Sequence, residues 1–110
     1  MSVPSITPKE LAEKLRAGHE AQPLLLDVRT EGENQLVALP DSVLIPLQEL
    51  PERMDELEHA VGREVIVYCH HGIRSLSGAQ LLIEHGFDAR SLTGGIDLYA
   101  REIDPRLPRY

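Results

Sequence analysis

The chain holds one cysteine, Cys69, in a segment whose residue types fit nucleophilic chemistry: Val67-Tyr68-Cys69-His70-His71-Gly72-Ile73-Arg74-Ser75. An apolar, β-branched run ends at the cysteine. A short polar loop follows, and a helix-forming stretch begins after it. A loop that wraps onto a helix N-terminus turns backbone N–H groups inward and makes a cradle for negative charge. Gly72 supplies the backbone freedom that so tight a turn needs. The helix dipole and the Arg74 guanidinium favour an anion at the same point. A thiol at the rim of that cradle is expected partly as thiolate, a strong nucleophile. Most lone cysteines are small buried hydrophobes. The glycine, the arginine and the helix start that follow Cys69 argue for a reactive group instead.

The neighbours of Cys69 divide into readings of different kinds. His70 and His71 fit either two solvent-facing loop residues or groups that stabilise an anionic sulfur. Adjacent residues on a loop are expected to point apart, so a shared metal site is not expected, and neither is any other cofactor. Ser75 is placed to cap the following helix through its hydroxyl. Asp27-Val28-Arg29 follows another apolar run and so belongs near the same edge of the fold. Charges at strand ends usually pair or face water, which favours a structural ion pair over a role at the sulfur. His19, His59 and His85 fall near helix ends and read as surface residues. The acidic residues at 49, 52, 55, 56 and 58 read as one solvated helix face.

The elements that must position Cys69 alternate. Thr7-Pro8-Lys9-Glu10 starts a helix with a capping box, and Leu11 and Leu15 line its inner face. Gly18 is its expected end, and Ala21-Gln22-Pro23 a linker. Leu24-Leu25-Leu26 with Val28 reads as a strand buried on both faces. Thr30 to Pro40 reads as one irregular helical turn or loop. Val43-Leu44-Ile45 reads as a second buried strand. A helix follows from Leu50, with Leu50, Met54 and Leu57 as its stripe and Gly62 as its stop. Glu64 to Tyr68 is the strongest strand. The helix from Ser75 turns Ala79, Leu82 and Ile83 inward and ends at Gly86. Ala89 to Leu92 is a strand, Gly94-Gly95 a turn, and Ile96 to Ile103 a last helix. Such alternation predicts a parallel α/β sheet with helices on both faces. Ligands of such sheets bind beyond the carboxyl ends of the strands, where Cys69 lies.

The bulk properties narrow the function. At 110 residues the chain is expected to form one domain over 1–110. Its net charge of −7 argues against nucleic acid and against anionic membrane as partners. One cysteine allows no internal disulfide and fits a reducing compartment. Met1 to Pro8 lacks the basic and apolar regions of an export signal, so a cytoplasmic location is expected. A monomer is the default.

Four fragments, in this order and spacing, resemble the single-domain rhodanese (thiosulfate-type sulfurtransferase) family. They are Leu25-Leu26-Asp27-Val28-Arg29, Val43-Leu44-Ile45-Pro46-Leu47, Val65 to Cys69 with its loop to Arg74-Ser75, and Leu92-Thr93-Gly94-Gly95-Ile96-Asp97. The resemblance implies a three-layer α/β fold around a mostly parallel five-stranded sheet. It also implies a Cys69 persulfide, formed from thiosulfate or a protein persulfide and discharged to a thiophilic acceptor by a ping-pong mechanism. His70, His71, Gly72, Ile73 and Arg74 would cradle the transferred sulfur, with Asp27, Arg29 and Ser75 in support. The ending Ile103 to Tyr110 is similar to rhodanese domains that accompany E1-like adenylyltransferases, which makes a sulfur-carrier pathway protein a candidate partner. One segment departs from the family: Val37-Ala38-Leu39-Pro40-Asp41-Ser42 stands where relatives carry a Gly-His-Ile-Pro-Gly-Ala-like stretch. Three alternatives accompany this reading. The first is a non-catalytic rhodanese-like interaction module. The second is a phosphatase or arsenate reductase of the same fold, which carries one residue more between Cys and Arg. The third is a redox-sensing thiol.

Overall fold

The computed structural model describes residues 3–17 and 22–110. Gly18, His19 and Ala21, read above as a helix end, a surface residue and part of a linker, lie outside the described residues. Among these residues five short strands form one parallel sheet: Ser5–Ile6 (β1), Leu24–Asp27 (β2), Val43–Leu44 (β3), Glu64–Tyr68 (β4) and Asp88–Leu92 (β5). Across the sheet they stand in the order β1-β5-β4-β2-β3, and every pairing is parallel. The expected three-layer α/β architecture is present. Four strands were legible in the sequence. The fifth, β1, is two residues long and has too little pattern to read.

The central strand explains where the core sits. Val65, Ile66, Val67 and Tyr68 are all fully buried, because β4 lies between β2 and β5 and is covered on both faces. Side chains alternate across a strand. Leu24, Leu26, Val65, Val67 and Cys69 therefore fall on one face, packed with Ala79 and Leu82 of helix Arg74–Glu84 (which becomes α4 below). Leu25, Ile66 and Tyr68 fall on the other, packed with Leu11, Ile96 and Tyr99. Those last residues belong to the helices Pro8–Arg16 (α1) and Gly95–Glu102 (α5). An unbroken apolar run in the sequence thus feeds two separate cores.

Several local expectations hold, and three change. Thr7 caps α1 through the expected capping box with Glu10. The segment after Arg29, read as one irregular helical turn or loop, contains a regular helix, Glu31–Leu36 (α2). Thr30 and Glu33 close a second capping box there. Helix α2 buries no residue, so it carries no apolar stripe to betray it. Strand β3 is half-buried at the sheet edge rather than fully buried, and only the adjoining Ile45 is completely enclosed. The helix from Leu50 is α-helical only over Leu50–Arg53 (α3) and continues as a 3-10 helix over Met54–Ala60. Met54, Leu57 and Ala60 recur every three residues, which suits three residues per turn better than 3.6. Helix α4 spans Arg74–Glu84, and α5 starts one residue before its expected first residue. No helix among the described residues is long and apolar enough to cross a membrane.

The ion pair expected at the end of β2 is present and fully enclosed. Arg29 Nε and Nη2 fork onto Asp27 Oδ1 and Oδ2 at 2.8 and 2.7 Å, and both side chains are 0% exposed. Arg29 Nη2 also donates to the Val37 carbonyl at 2.6 Å, and Asn34 Nδ2 donates to Asp27 Oδ2 at 3.0 Å. The pair thereby ties the middle and the C-terminal end of α2 to the sheet. Burial opposes the charge on Arg29, but its bonds to Asp27 and Tyr110 outweigh burial and keep the guanidinium ionised. Removing one member strands the other charge in the interior. Arg29→Met is therefore expected to cost about 3–5 kcal/mol in urea unfolding, and Asp27→Asn/Arg29→Met together less than the sum of the single changes.

Candidate active site

Cys69 follows the last residue of β4 and faces the α4 side of the sheet, 1% exposed. Its Sγ accepts the backbone N–H of Gly72 at 3.1 Å and that of Ser75 at 3.4 Å. Gly72 reaches this turn at φ 96°, a conformation that side chains rarely adopt. As a thiol, Cys69 donates to Ser75 Oγ at 3.5 Å, and Ser75 Oγ lies 2.7 Å from Ser91 Oγ of β5. Both serines are buried. Each hydroxyl has one proton, so when Sγ is an anion Ser91 can donate to Ser75 Oγ and leave the Ser75 hydroxyl free to donate to the sulfur. The expected capping role of Ser75 is not what the structure shows. Ile73 occupies the cap position of α4 without a side-chain bond, and Ser75 donates its N–H to the sulfur while its hydroxyl oxygen accepts from the thiol. Its place on the buried face of α4, opposite Ser91, causes this.

Helix α5 holds the loop from behind. Ile96 N–H donates to the Cys69 carbonyl at 2.9 Å, and Asp97 N–H donates to the His70 carbonyl at 3.1 Å. A peptide plane fixes its N–H opposite its C=O. Anchoring these two carbonyls on α5 therefore turns the next N–H groups away from that helix. Gly94 and Gly95 lead into α5 at φ 73° and 63°. A Cβ on Gly95 would overlap the Cys69 and His70 carbonyls themselves.

His70 and His71 do not point apart. Their rings stack with centroids 3.8 Å apart, and the ring of Tyr110 stacks on the outside of His70 at 3.9 Å and 10°. The apolar faces of the rings find each other at the surface, which loop geometry alone does not reveal. His71 stays exposed, whereas His70 is half-buried and its Nε2 is enclosed without a hydrogen-bond partner. Burial, and then the neighbouring His71, push the His70 imidazole below its ordinary pKa. His70, His71 and Asp97 bring ligand-type atoms within 4.8 Å of one another. Asp97 already faces Arg109 at 2.9 Å and Arg101 at 3.5 Å, and those two cations disfavour a third.

Arg74 is committed to a carboxylate. Its Nη1 and Nη2 fork onto Glu33 Oε1 and Oε2 at 2.7 and 2.9 Å. Glu33 Oε1 also accepts from the Thr30 backbone N–H and hydroxyl, and Oε2 accepts from the Tyr110 hydroxyl at 2.7 Å. The Arg74 fork, with Tyr110 and Thr30, holds the Glu33 carboxyl far below its usual pKa, although burial opposes this. Sequence reasoning missed Glu33, Ser91, Asp97 and Tyr110. Only Glu33 carried a signal, the Thr30-x-x-Glu33 spacing, and that marks a helix start rather than an arginine partner.

The sequence and the overall fold have counterparts among known proteins. A model of the rhodanese-like domain matches residues 7–102. The chain belongs to the rhodanese-like family. It is 35% identical to a sulfurtransferase of Allochromatium vinosum over 71% of this chain and 72% of that protein. It is also 35% identical to the adenylyltransferase and sulfurtransferase MOCS3 of Arabidopsis thaliana, over 96% of this chain but 25% of that much longer protein. Among solved structures, a rhodanese-like domain protein from Staphylococcus aureus superposes with a TM-score of 0.82 at 27% identity, covering 97% of this chain and 98% of that one. A rhodanese-related protein from Thermoplasma volcanium gives 0.80 at 30% identity over 91% and 93%. In the departing segment Val37–Ser42 one left-handed residue and contacts to Tyr68 fix the local path. Asp41 takes φ 62° where the family pattern has a glycine, and Tyr68 Oη accepts the Leu39 N–H at 3.2 Å and lies 2.8 Å from Ser42 Oγ.

The contact of α5 with the rhodanese loop yields a test. Gly95→Ala must displace the Cys69 and His70 carbonyls and is strained at its own φ. It is expected to lower stability by about 2–4 kcal/mol and to misplace the sulfur, read by thermal melts and by the rate of Cys69 alkylation.

Proposed function

We propose that this rhodanese-like domain is a thiosulfate-type sulfurtransferase that carries sulfur as a persulfide on Cys69. The observation that carries the reading is the set of donors aimed at one buried sulfur: the N–H groups of Gly72 and Ser75, backed by the Ser75–Ser91 hydroxyl pair. These donors can stabilise an anionic nucleophile before reaction and an anionic leaving thiolate after it. Cys69 as thiolate attacks the outer sulfur of thiosulfate. A new S–S bond forms, the S–S bond of thiosulfate breaks, and sulfite leaves with the electron pair. The terminal sulfur then bears the charge within the turn formed by residues 70–74. Cyanide, or a thiolate acceptor, attacks that sulfur, the S–S bond to Cys69 breaks, and the Cys69 thiolate returns. Electrons and charge balance in each half without any cofactor.

Arg74 acts in this scheme as a brace. Its fork is spent on Glu33, so it fixes the end of the loop rather than offering a free cation to the donor. Asp27 and Arg29 support α2, which carries Glu33. The whole of 1–110 acts as one domain, and the lone thiol fits a reducing cytoplasm. A protein persulfide is the second candidate donor. A sulfur-carrier pathway protein is a candidate acceptor, in keeping with the similarity to MOCS3.

Two substitutions test the scheme. Wild type is expected to make thiocyanate from thiosulfate and cyanide, and to gain the mass of one sulfur with thiosulfate alone. Cys69→Ser is expected to do neither while melting like wild type. Wild type without added sulfur from thiosulfate or from a protein persulfide would refute the proposal. Arg74→Lys keeps the charge but loses the two-point fork. Its kcat/KM is expected to fall about tenfold, equivalent to ~1.4 kcal/mol, with a smaller effect on Tm.

A further inference from the structure

The last eight residues, 103–110, are not helical beyond Ile103 and run back across the catalytic loop. Leu107 packs on the α1–α5 side of the core, and Arg109 Nε holds Asp97 of α5 at 2.9 Å. Beyond them Tyr110 reaches both ends of the loop. Its ring lies flat on His70, the residue after the cysteine, at 3.9 Å and 10°. Its hydroxyl accepts from Arg29 Nη1 at 2.9 Å and donates to Glu33 Oε2 at 2.7 Å. That same oxygen receives Arg74 Nη2, the other end of the loop.

We propose that Tyr110 is a positioning residue for sulfur transfer, fixing His70 through its ring and Arg74 through Glu33. This rests on the sulfur-transfer reading above. The hydroxyl ties a partly exposed ion pair to an enclosed one. Arg29 is enclosed and clamped by Asp27, whereas Arg74 and Glu33 stand at the rim. A phenol bonded on one side to the clamped arginine presents its proton to Glu33 in one direction. Burial, with Glu33 adding to it against the opposing Arg29, pushes the phenol up to about 12, so it remains a donor throughout the neutral range. The ring adds a second restraint. His70 contributes the carbonyl that Asp97 N–H anchors, so a flat contact on its imidazole limits rotation of the residue next to the nucleophile. Tyr110 is 42% exposed and lies outside both apolar cores. Its loss should therefore loosen the loop without unfolding the domain.

The test uses the full chain as wild type, Tyr110→Phe and Tyr110→Ala. Each is melted, assayed for kcat and KM with thiosulfate and cyanide, and mapped by amide hydrogen exchange over residues 70–74. Tyr110→Phe keeps the ring and loses the hydroxyl. It is expected to lower kcat about fivefold, the effect of one charge-assisted hydrogen bond felt in part, with KM nearly unchanged. Tyr110→Ala loses both contacts and is expected to fall further, with exchange accelerated in the loop and unchanged in β4. Wild-type kcat in both variants would overturn the proposal. So would a loss in Tyr110→Ala that follows a lowered Tm and faster exchange along the whole chain. If wild type transfers no sulfur, the sulfur-transfer reading fails on its own, and hydrogen exchange decides for Tyr110. Unchanged loop exchange in Tyr110→Ala then refutes the positioning role.

Discussion

A carboxylate and a guanidinium, both withdrawn from water, stand at the carboxyl end of β2, and much of the site hangs on them. Ions so enclosed persist only when each polar atom is bonded, because isolated burial costs several kcal/mol per charge. Asp27 meets this need with Arg29, the Arg29 backbone N–H and Asn34. Arg29 meets it with Asp27, the Val37 carbonyl and Tyr110. Satisfying the pair thus fixes the middle and C-terminal end of α2 and gives the tail a place to bind. Glu33, carried by α2, then fixes Arg74. The order of cause runs from a buried charge to a helix position to the end of the Cys69 loop.

The fold was largely legible because its strongest signals are local. β4 is a run of buried β-branched and aromatic residues, and Thr7-Pro8-Lys9-Glu10 states a helix start in four residues. What escaped was set by contacts distant in sequence. β1 owes its existence to pairing with β5, and two residues cannot announce that. α2 packs through polar side chains, so it has no apolar stripe, and its Thr30-x-x-Glu33 start stands alone as a signal. The 3-10 winding of Met54–Ala60 was written in a three-residue apolar repeat that resembles a helical stripe over so short a span.

The candidate site divides in the same way. Cys69, Gly72 and Arg74 were visible because cysteine, turn and helix start are contiguous. Ser75 was visible too, but its role was misread, since a hydroxyl near a helix start ordinarily caps it and here the sulfur and Ser91 compete successfully for it. Ser91, Glu33, Asp97 and Tyr110 come from four separate elements that meet only when the sheet closes. His70 and His71 were expected to diverge. The Tyr110 ring, forty residues later in the chain, extends their stack, a contact that no local pattern announces.

The anchoring of the Cys69 and His70 carbonyls on α5 separates two tasks onto different atoms. Main-chain N–H groups face the sulfur, and every residue type except proline has one. The side chains of the loop are released from that duty: His71 and Ile73 project outward, Ile73 at 76% exposure. Evolution can rewrite those projecting positions to suit a new sulfur donor or acceptor while the cradle beneath stays the same. One scaffold can in this way serve many exchange partners without redesign of its chemistry.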